Sequence, residues 1–463
     1  MSDAGLSQAR RKMSDGGVHP RAVEVFAHYY RQLESGATGV IAEDDVDPVT
    51  HLDRLDDLDV DGSQAAQALA ATAVIKLNGG LGTSMGMDRA KSLVKVRGDR
   101  SFLDVIAHQV LATRAAHGVR LPLLFMNSFR THDDTLAALE PHRGLAVAGL
   151  PPDFLQNREP KLRVHDLTPV DWPDDPALEW CPPGHGDLYT ALEASGTLQR
   201  LLGAGFRYAS VSNADNLGAE PSPAVAGWFA ATGAPYAAEV CRRTPADRKG
   251  GHLVRRRADG RLVLRETAQT RPEDAELAAD IERHPYFHTN NLWFDLRALA
   301  RTLAEREGLL GLPLIRNEKT VDPSDPTSPR VVQVESAMGA AVEVFERAVA
   351  IEVDRSRFLP VKTTADLLVM RSDVYDLRDD GLLHRRRATV PLVDLDPAHY
   401  ALLAGFDARF PHGPPSLVGA ERLAVRGDWT FGADVVVTGD VLLGDEHGTV
   451  PAGARLTGSS VRT

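Results

Sequence analysis

The sequence predicts an α/β protein with a largely parallel or mixed sheet and a small all-β tail. Two observations carry this. From Ala73 onward, short β-rich runs alternate with helical segments: "AVIKL", "PLLFMN" and "YASVSN" are the strands, and "FLDVIAHQVLATRAA" is a helix between the first two. After about residue 395 the texture changes to Val/Leu runs punctuated by glycine, as in "VVVTGDVLLGDEHGTVPAGARL". That pattern suits the coils of a β-helix better than an amphipathic helix.

In chain order, residues 1 to about 17 read as polar and loose. "RAVEVFAHYYRQLES" has helical spacing of its apolar residues, with Gly36 as a stop. The acidic stretches "AEDDVDPV" and "HLDRLDDLDVDG" lead into the α/β region. Ser101 and Asp104 form a capping-box pattern ahead of the helix at Phe102. "GHLVRRRADGRLVLRE" reads as a hairpin around Asp259-Gly260. Thr363 and Asp366 cap a further helix, directly preceded by Lys362. These signals divide the chain into an N-terminal helical extension (1–60), an α/β domain (61–395) and an all-β tail (396–463).

Length and composition narrow the function. At 463 residues, 43% of them apolar, the chain can bury a large core and hold two or three domains. With 52 Lys and Arg against 64 Asp and Glu, the formal charge of −12 argues against nucleic acid or an anionic membrane as partner. An anionic ligand then needs a local group of cations. Two cysteines, Cys181 and Cys241, are too few for a disulfide framework or a cysteine zinc site, and a reducing, cytoplasmic location is expected. The start "MSDAGLSQARRKMSDGG" has no apolar core of a signal peptide, and no 18-residue apolar run exists for a membrane span.

The strand "AVIKL" stops in the glycine loop "NGGLGTSMG". The loop lacks P-loop spacing, and Gly80, Gly82 and Gly86 do not make the dinucleotide fingerprint, which would also enter a helix at once. Instead "AKSLVKV" follows and alternates like a strand. Backbone N–H groups with Lys91 just beyond suit a triphosphate; the plainer reading is a tight turn with no ligand. "PPGHG" exposes one histidine on a stiff loop. "SNADN" places Asp215 where "FRYASV" ends, at the strand end where open α/β sheets bind ligands, and where a carboxylate can hold Mg²⁺ against phosphates. An Asx-turn is the plainer reading there. Lys362 at a helix N-terminus favours an anion, although a lone lysine is most often a solvated surface charge.

Together, "LNGGLGTSMG", "KSL", "FMNSFRTHDDT", "PPGHGDLY", "SNADNLGA", "DRKGGHLV", "ETAQ", "TNNLWFDL", "QVESAMGAAVEVF" and "RSRFLPVKTTADLL" resemble the UTP–glucose-1-phosphate uridylyltransferases of the eukaryotic type, also called UDP-glucose pyrophosphorylases, from about residue 40 to the tail. The resemblance implies a nucleotide-diphospho-sugar transferase fold, Rossmann-like and GT-A-like, with a helical N-terminal piece and a C-terminal left-handed β-helix. It implies the reaction UTP + glucose 1-phosphate to UDP-glucose + pyrophosphate, with Mg²⁺. It places uridine and phosphates on the loop from Leu77, Asn78, Gly79 and Gly80 onward. Lys91 and Lys362 would meet phosphates of the reacting centre, Gln156 the uracil edge, and Gly184 the base. His185 would meet the sugar phosphate, Asn213 the glucosyl side, Glu266 and Asn290 the glucose hydroxyls, and Asp215 the metal.

Two departures stand out. Where the family commonly reads Lys-Gly-Pro-Lys-Ser this chain has "DRAKS", so Asp88 and Ala90 replace a lysine and the proline, and Arg89 is the candidate to supply the missing charge. A lysine of the family is Arg243 here, while Lys249 is kept. A UDP-N-acetylhexosamine or broad UDP-sugar pyrophosphorylase is the rival within the enzyme class, although a loop nearer "AGGQGTRLG" is usual there. A non-catalytic nucleotide-sugar sensor is the rival outside it, and that reading predicts loss of Asp215, Lys91 or Lys362. A homo-oligomer is among the assemblies the resemblance allows.

Overall fold

Parallel strands covered on both faces read as unbroken apolar runs, and two segments do so here. Thr72–Asn78 and Leu123–Asn127 are buried at every position. In this computed structural model, which describes residues 3–244, 247–248, 250–444 and 447–458, they lie side by side in the main sheet. Lys249 lies outside the described residues. The main sheet contains Val46–Pro48 (β1), Thr72–Asn78 (β2), Leu123–Asn127 (β3), Asp153–Leu155 (β4), Tyr208–Asn213 (β5), Tyr236–Arg242 (β6), His252–Arg256 (β7), Leu262–Arg265 (β8), Tyr286–Asp295 (β9) and Val349–Glu352 (β10).

The strand order is β1-β7-β9-β5-β2-β3-β4, with β6 joining β9 to β10 and β8 joining β7. β5, β2, β3 and β4 are mutually parallel, whereas β9 runs antiparallel to β5 and to β6. The sheet is therefore mixed. Its parallel half sends the ends of β2, β3, β4 and β5 to one edge, where Asn78, Asn127, Leu155 and Asn213 end their strands.

Predicted caps and turns are present. Ser101 and Asp104 make a reciprocal capping box on helix Phe102–His117, and Thr363 and Asp366 make one on helix Thr364–Arg371. β7 and β8 pair antiparallel around Gly260, whose φ is 71°. Gly36 follows helix Pro20–Glu34 with φ 81°.

Three expectations need correction. The N-terminal residues are not loose: Asp3–Asp15 is a helix whose Ala9 and Met13 are buried in a cluster with Phe26, Tyr30, Leu162, Val332 and Val334. Lys12 also pairs with Glu179 and donates to the Val170 carbonyl at 2.9 Å. Distant partners, not local propensity, order this helix. "AKSLVKV" is only partly a strand, because Lys91–Leu93 forms a 3₁₀ turn before Lys95–Arg97 extends. Two short helices, Pro397–Tyr400 and Leu403–Arg409, fall in the region read as all-β. Their Tyr400 and Phe406 are buried, and Phe410 stacks on Phe431 of the tail at 4.8 Å.

The tail itself is built of parallel pairs. Leu392–Leu395 pairs with Ser416–Val425, which pairs with Val436–Leu443 and that in turn with Arg455–Thr457, while Asp428–Phe431 pairs with His447–Val450. Leu417, Leu423, Trp429 and Phe431 belong to the same apolar cluster as Phe102, Val105 and Leu367. The tail's core is thus continuous with that of the main sheet.

Candidate active site

The glycine loop leaves β2 at the open edge of the parallel half-sheet and is closed at its base. The Lys91 N–H donates to the Gly80 carbonyl at 3.2 Å, and Leu81 bridges to Ala90. Gly79 lets Gln156, which arrives from the end of β4, come close: a Cβ would stand 2.7 Å from its amide atoms and would push that side chain away. Asn78 faces away from the opening. Its Nδ2 donates to Asn127 Oδ1 and Thr135 Oγ1, each at 2.9 Å, and Asn127 in turn donates to Asp153.

"PPGHG" reaches the same edge because it is fastened to the segment after Arg330–Glu335. The Ser336 N–H donates to the Pro183 carbonyl at 3.0 Å and the Gly186 N–H to the Ser336 carbonyl at 2.8 Å. Gly184 has φ 77°, and a Cβ on it would lie 2.6 Å from that carbonyl. The Met338 N–H donates to His185 Nδ1 at 2.9 Å. Burial lowers the His185 pKa to about 4, so the ring is neutral at pH 7. With Nδ1 accepting, its proton sits on Nε2, which makes the ring a hydrogen-bond donor.

These segments join in one cleft. It is lined by Leu77, Asn78, Gly79, Gly80, Lys91, Ser92, Met126, Gln156, Pro182, Gly184, His185, Asn213, Ala214 and Asp215. Every site residue expected from the sequence is there except Glu266, Asn290 and Lys362. Lys91 Nζ donates to Asp215 Oδ2 at 2.6 Å, with both side chains about one-fifth exposed. The opposite oxygen, Asp215 Oδ1, is buried with no hydrogen-bond partner among the described residues. No group of three or more His, Cys, Asp or Glu is placed to hold a metal among the described residues. A lone carboxylate with one uncommitted oxygen fits an ion that takes its remaining ligands from water and phosphate.

The three remaining residues lie outside that lining. Asn290 sits at a β-bulge, where β9 slips its register against β6 between Glu239 and Val240, and it is left-handed at φ 59°. Bulges re-aim side chains, and asparagine tolerates this conformation. Lys362 is exposed and lines a neighbouring groove with Phe358, Arg355 and Asp366. Burial raises the Glu266 pKa while the Lys362 ammonium opposes it, so these two lie within electrostatic reach.

The two candidate cations raised by the departures are engaged elsewhere. Arg89 pairs with Asp134 at 3.0 Å. Arg243 is buried, and its fork donates to the carbonyls of Asp247, Arg248, Ala278 and His284. It braces a loop and is not turned toward a phosphate.

Sequence reasoning missed three residues. Ser92 lines the cleft, and its Oγ is buried without a partner among the described residues; its place in "KSL" beside Lys91 was the available signal. His288, adjoining Asn290, has a pKa lowered to about 4, mainly by burial. Lys76, in the middle of an apolar strand, is 1% exposed and donates to Ser212 Oγ at 2.7 Å and the Ala219 carbonyl at 2.8 Å. Burial lowers its pKa to about 7.

Backbone amides and the Lys91 ammonium gathered at the carboxyl ends of parallel strands suit the phosphates of a nucleotide, as in a nucleotidyltransferase. The chain belongs to the UTP–glucose-1-phosphate uridylyltransferase family, whose model matches residues 23–438. It is 38% identical over 421 residues to the UTP–glucose-1-phosphate uridylyltransferase of Solanum tuberosum, covering 89% of this chain and 86% of that protein. A mutant UDP-glucose pyrophosphorylase of Leishmania major solved in complex with UDP-glucose superposes with TM-score 0.92 at 41% identity, over 99% of each chain. A second solved structure, UDP-glucose phosphorylase from Trypanosoma brucei, gives TM-score 0.91 at 39% identity over 99% of this chain and 100% of that one.

Proposed function

We propose that this chain transfers the uridylyl group of UTP to glucose 1-phosphate, yielding UDP-glucose and pyrophosphate. The observation that carries the reading is the single cleft joining the glycine loop, Gln156, the Gly184-His185 loop, Asn213 and the Lys91–Asp215 pair. Gln156 and Gly184 take the uracil, and the loop from Leu77 to Gly80 takes ribose and phosphates. Asn213, Asn290 and Glu266 take the sugar. His185, a neutral Nε2–H donor, holds a phosphate oxygen without adding charge.

A phosphate oxygen of glucose 1-phosphate is already ionised at neutral pH and attacks the α-phosphorus in line. The new P–O bond forms as the bond to the β-phosphate oxygen breaks, and pyrophosphate leaves with the electron pair. No general base and no covalent enzyme intermediate are needed. The barrier is charge repulsion, which Lys91 and Lys362 reduce by neutralising phosphate oxygens already aligned by the loop. Asp215 would hold Mg²⁺, which when bound neutralises phosphate charge beside the reacting centre.

The same reading takes the tail, whose parallel pairing supports it, as a left-handed β-helix, and the main sheet as a GT-A-like nucleotide-diphospho-sugar core. It keeps three units, 1–60, 61–395 and 396–463. No helix of the described residues is long and apolar enough to cross a membrane, and Cys181 and Cys241 are both unpaired thiols; the thiols support a cytoplasmic location. Incubating the protein with UTP, Mg²⁺ and a panel of sugar 1-phosphates tests the reaction, with pyrophosphate release as readout. Glucose 1-phosphate is expected to lead. Higher efficiency with N-acetylhexosamine 1-phosphates, or no release with any sugar, overturns the reading.

A further inference from the structure

Lys362 stands outside the cleft lining, on a segment that no regular strand of the main sheet carries. That segment is pinned at Arg357, and from both ends of the residue. The guanidinium is buried: its Nε donates to Glu239 Oε2 at 2.6 Å, Nη2 to Glu239 Oε1 at 2.9 Å, and Nη1 to Glu220 Oε1 at 2.9 Å. Glu239, on β6, is 1% exposed and also accepts from Trp293 Nε1 at 2.8 Å and Asn291 Nδ2 at 3.3 Å. The Arg357 carbonyl accepts from Asn216 Nδ2 at 3.1 Å and Asn291 Nδ2 at 3.0 Å.

The hold continues toward Lys362. Phe358 packs on Phe287 with ring centroids 5.1 Å apart, the Leu359 N–H donates to Asn216 Oδ1 at 2.8 Å, and Pro360 bridges to Asn216. Asn216 directly follows Asp215. Beneath the same turn the Lys76 ammonium feels Glu220, Arg357, Glu239 and Asp215. Arg357, Glu239 and Glu220 thus form a largely buried ion network, with Lys76 within electrostatic reach of it. A buried ion network is a costly way to gain stability, since apolar groups of like volume often serve as well. Its geometric effect is to fix the Arg357–Pro360 backbone relative to Asp215.

We propose that Arg357, clamped by Glu239 and Glu220, is a positioning residue for the uridylyl transfer: it sets the distance between Lys362 and the Asp215 end of the cleft. This rests on Lys362 acting at the phosphates. A displacement of about 1 Å at a reacting centre can cost on the order of 10²-fold in rate. The clamp therefore acts on kcat, through Lys362, and not on the uracil end of the cleft.

The test is a double-mutant cycle. Arg357→Lys keeps a cation for Glu239 but loses the fork that also reaches Glu220. Asn216→Ala loosens the same segment from the Asp215 side without altering any charge, and keeps the test open should the lysine variant not fold. Each is made alone and with Lys362→Ala, and kcat, KM for UTP and thermal melts are measured. Each single variant is expected to lower kcat by about 10- to 100-fold, with KM for UTP within about threefold of the parent. In the Lys362→Ala background the further loss is expected to shrink to within about threefold, because the clamp then has nothing to place. A loss that multiplies in full with Lys362→Ala, or one confined to KM for UTP, overturns the inference and leaves Lys362 in its role. If Lys362→Ala alone leaves turnover intact, the assignment of Lys362 fails and the inference fails with it.

Discussion

The ammonium of Lys91 stands 2.6 Å from Asp215 Oδ2, across a cleft whose two walls are 124 residues apart in the chain. Each group neutralises the other, and the partnerless Oδ1 marks the side on which the carboxylate can take a further ligand. On the proposed function, phosphates entering the cleft would compete for the lysine and release the carboxylate. The pair would then separate into a phosphate ligand, Lys91, and a metal ligand, Asp215.

Asp215→Asn keeps size and hydrogen bonding but removes the charge. Turnover with Mg²⁺ and saturating substrates is expected to fall by on the order of 10²-fold or more, with little change in the thermal melt. UDP-glucose binding should weaken more in the presence of Mg²⁺ than in its absence. A near-normal rate would leave Asp215 as a turn residue, a role asparagine fills equally well.

The proposed uracil contact is Gln156, beside Gly79. A pocket that hydrogen-bonds one base leaves polar groups unpaired against others, so UTP should exceed CTP, ATP and GTP by at least about 100-fold in kcat/KM. Gln156→Ala should narrow that ratio. Comparable use of ATP by the parent enzyme would defeat the uracil assignment.

Stability should fall on the acid side. His185 and His288 have folded pKa values of about 4 against an ordinary 6.5. Between those values the unfolded chain binds protons that the folded chain refuses. Stability therefore drops as pH falls through this window, by up to about 1.4 kcal/mol per pH unit for each ring. In melting curves from pH 7 to 4.5, His185→Gln should show a shallower decline than the parent. Parallel declines would mean that His185 is not held neutral by the fold.

Arg243→Lys replaces a fork that meets four carbonyls by a single ammonium. A stability loss of about 1–3 kcal/mol is expected in denaturant titration, since buried acceptors lose their donors. Turnover of the folded enzyme should stay near that of the parent. A large rate loss at unchanged stability would put Arg243 among the phosphate ligands after all.

The sequence by itself determined what local chemistry encodes. The capping boxes at Ser101 and Thr363, the hairpin at Gly260 and the apolar runs of β2 and β3 depend on residues a few positions apart, and each is present as read. The motif "SNADNLGA" likewise named the strand end that carries Asn213 and Asp215, and the resemblance placed Gln156 with them. Tertiary structure decided the rest. Helix Asp3–Asp15 exists because Val332 and Val334 cover Ala9 and Met13. Asn78 turns onto Asn127 instead of the opening, and Arg243 is taken up by carbonyls as far away as His284. Lys76 stands unremarked in the strand run "AVIKL" until Ser212 and Ala219 are seen to take its ammonium, and Arg357 has no local signal for its pairing with Glu239. A charged side chain can be buried only where a partner satisfies it, and the partners named here for Arg243, Arg357 and Lys76 lie 41 to 143 residues away, beyond the reach of any local pattern.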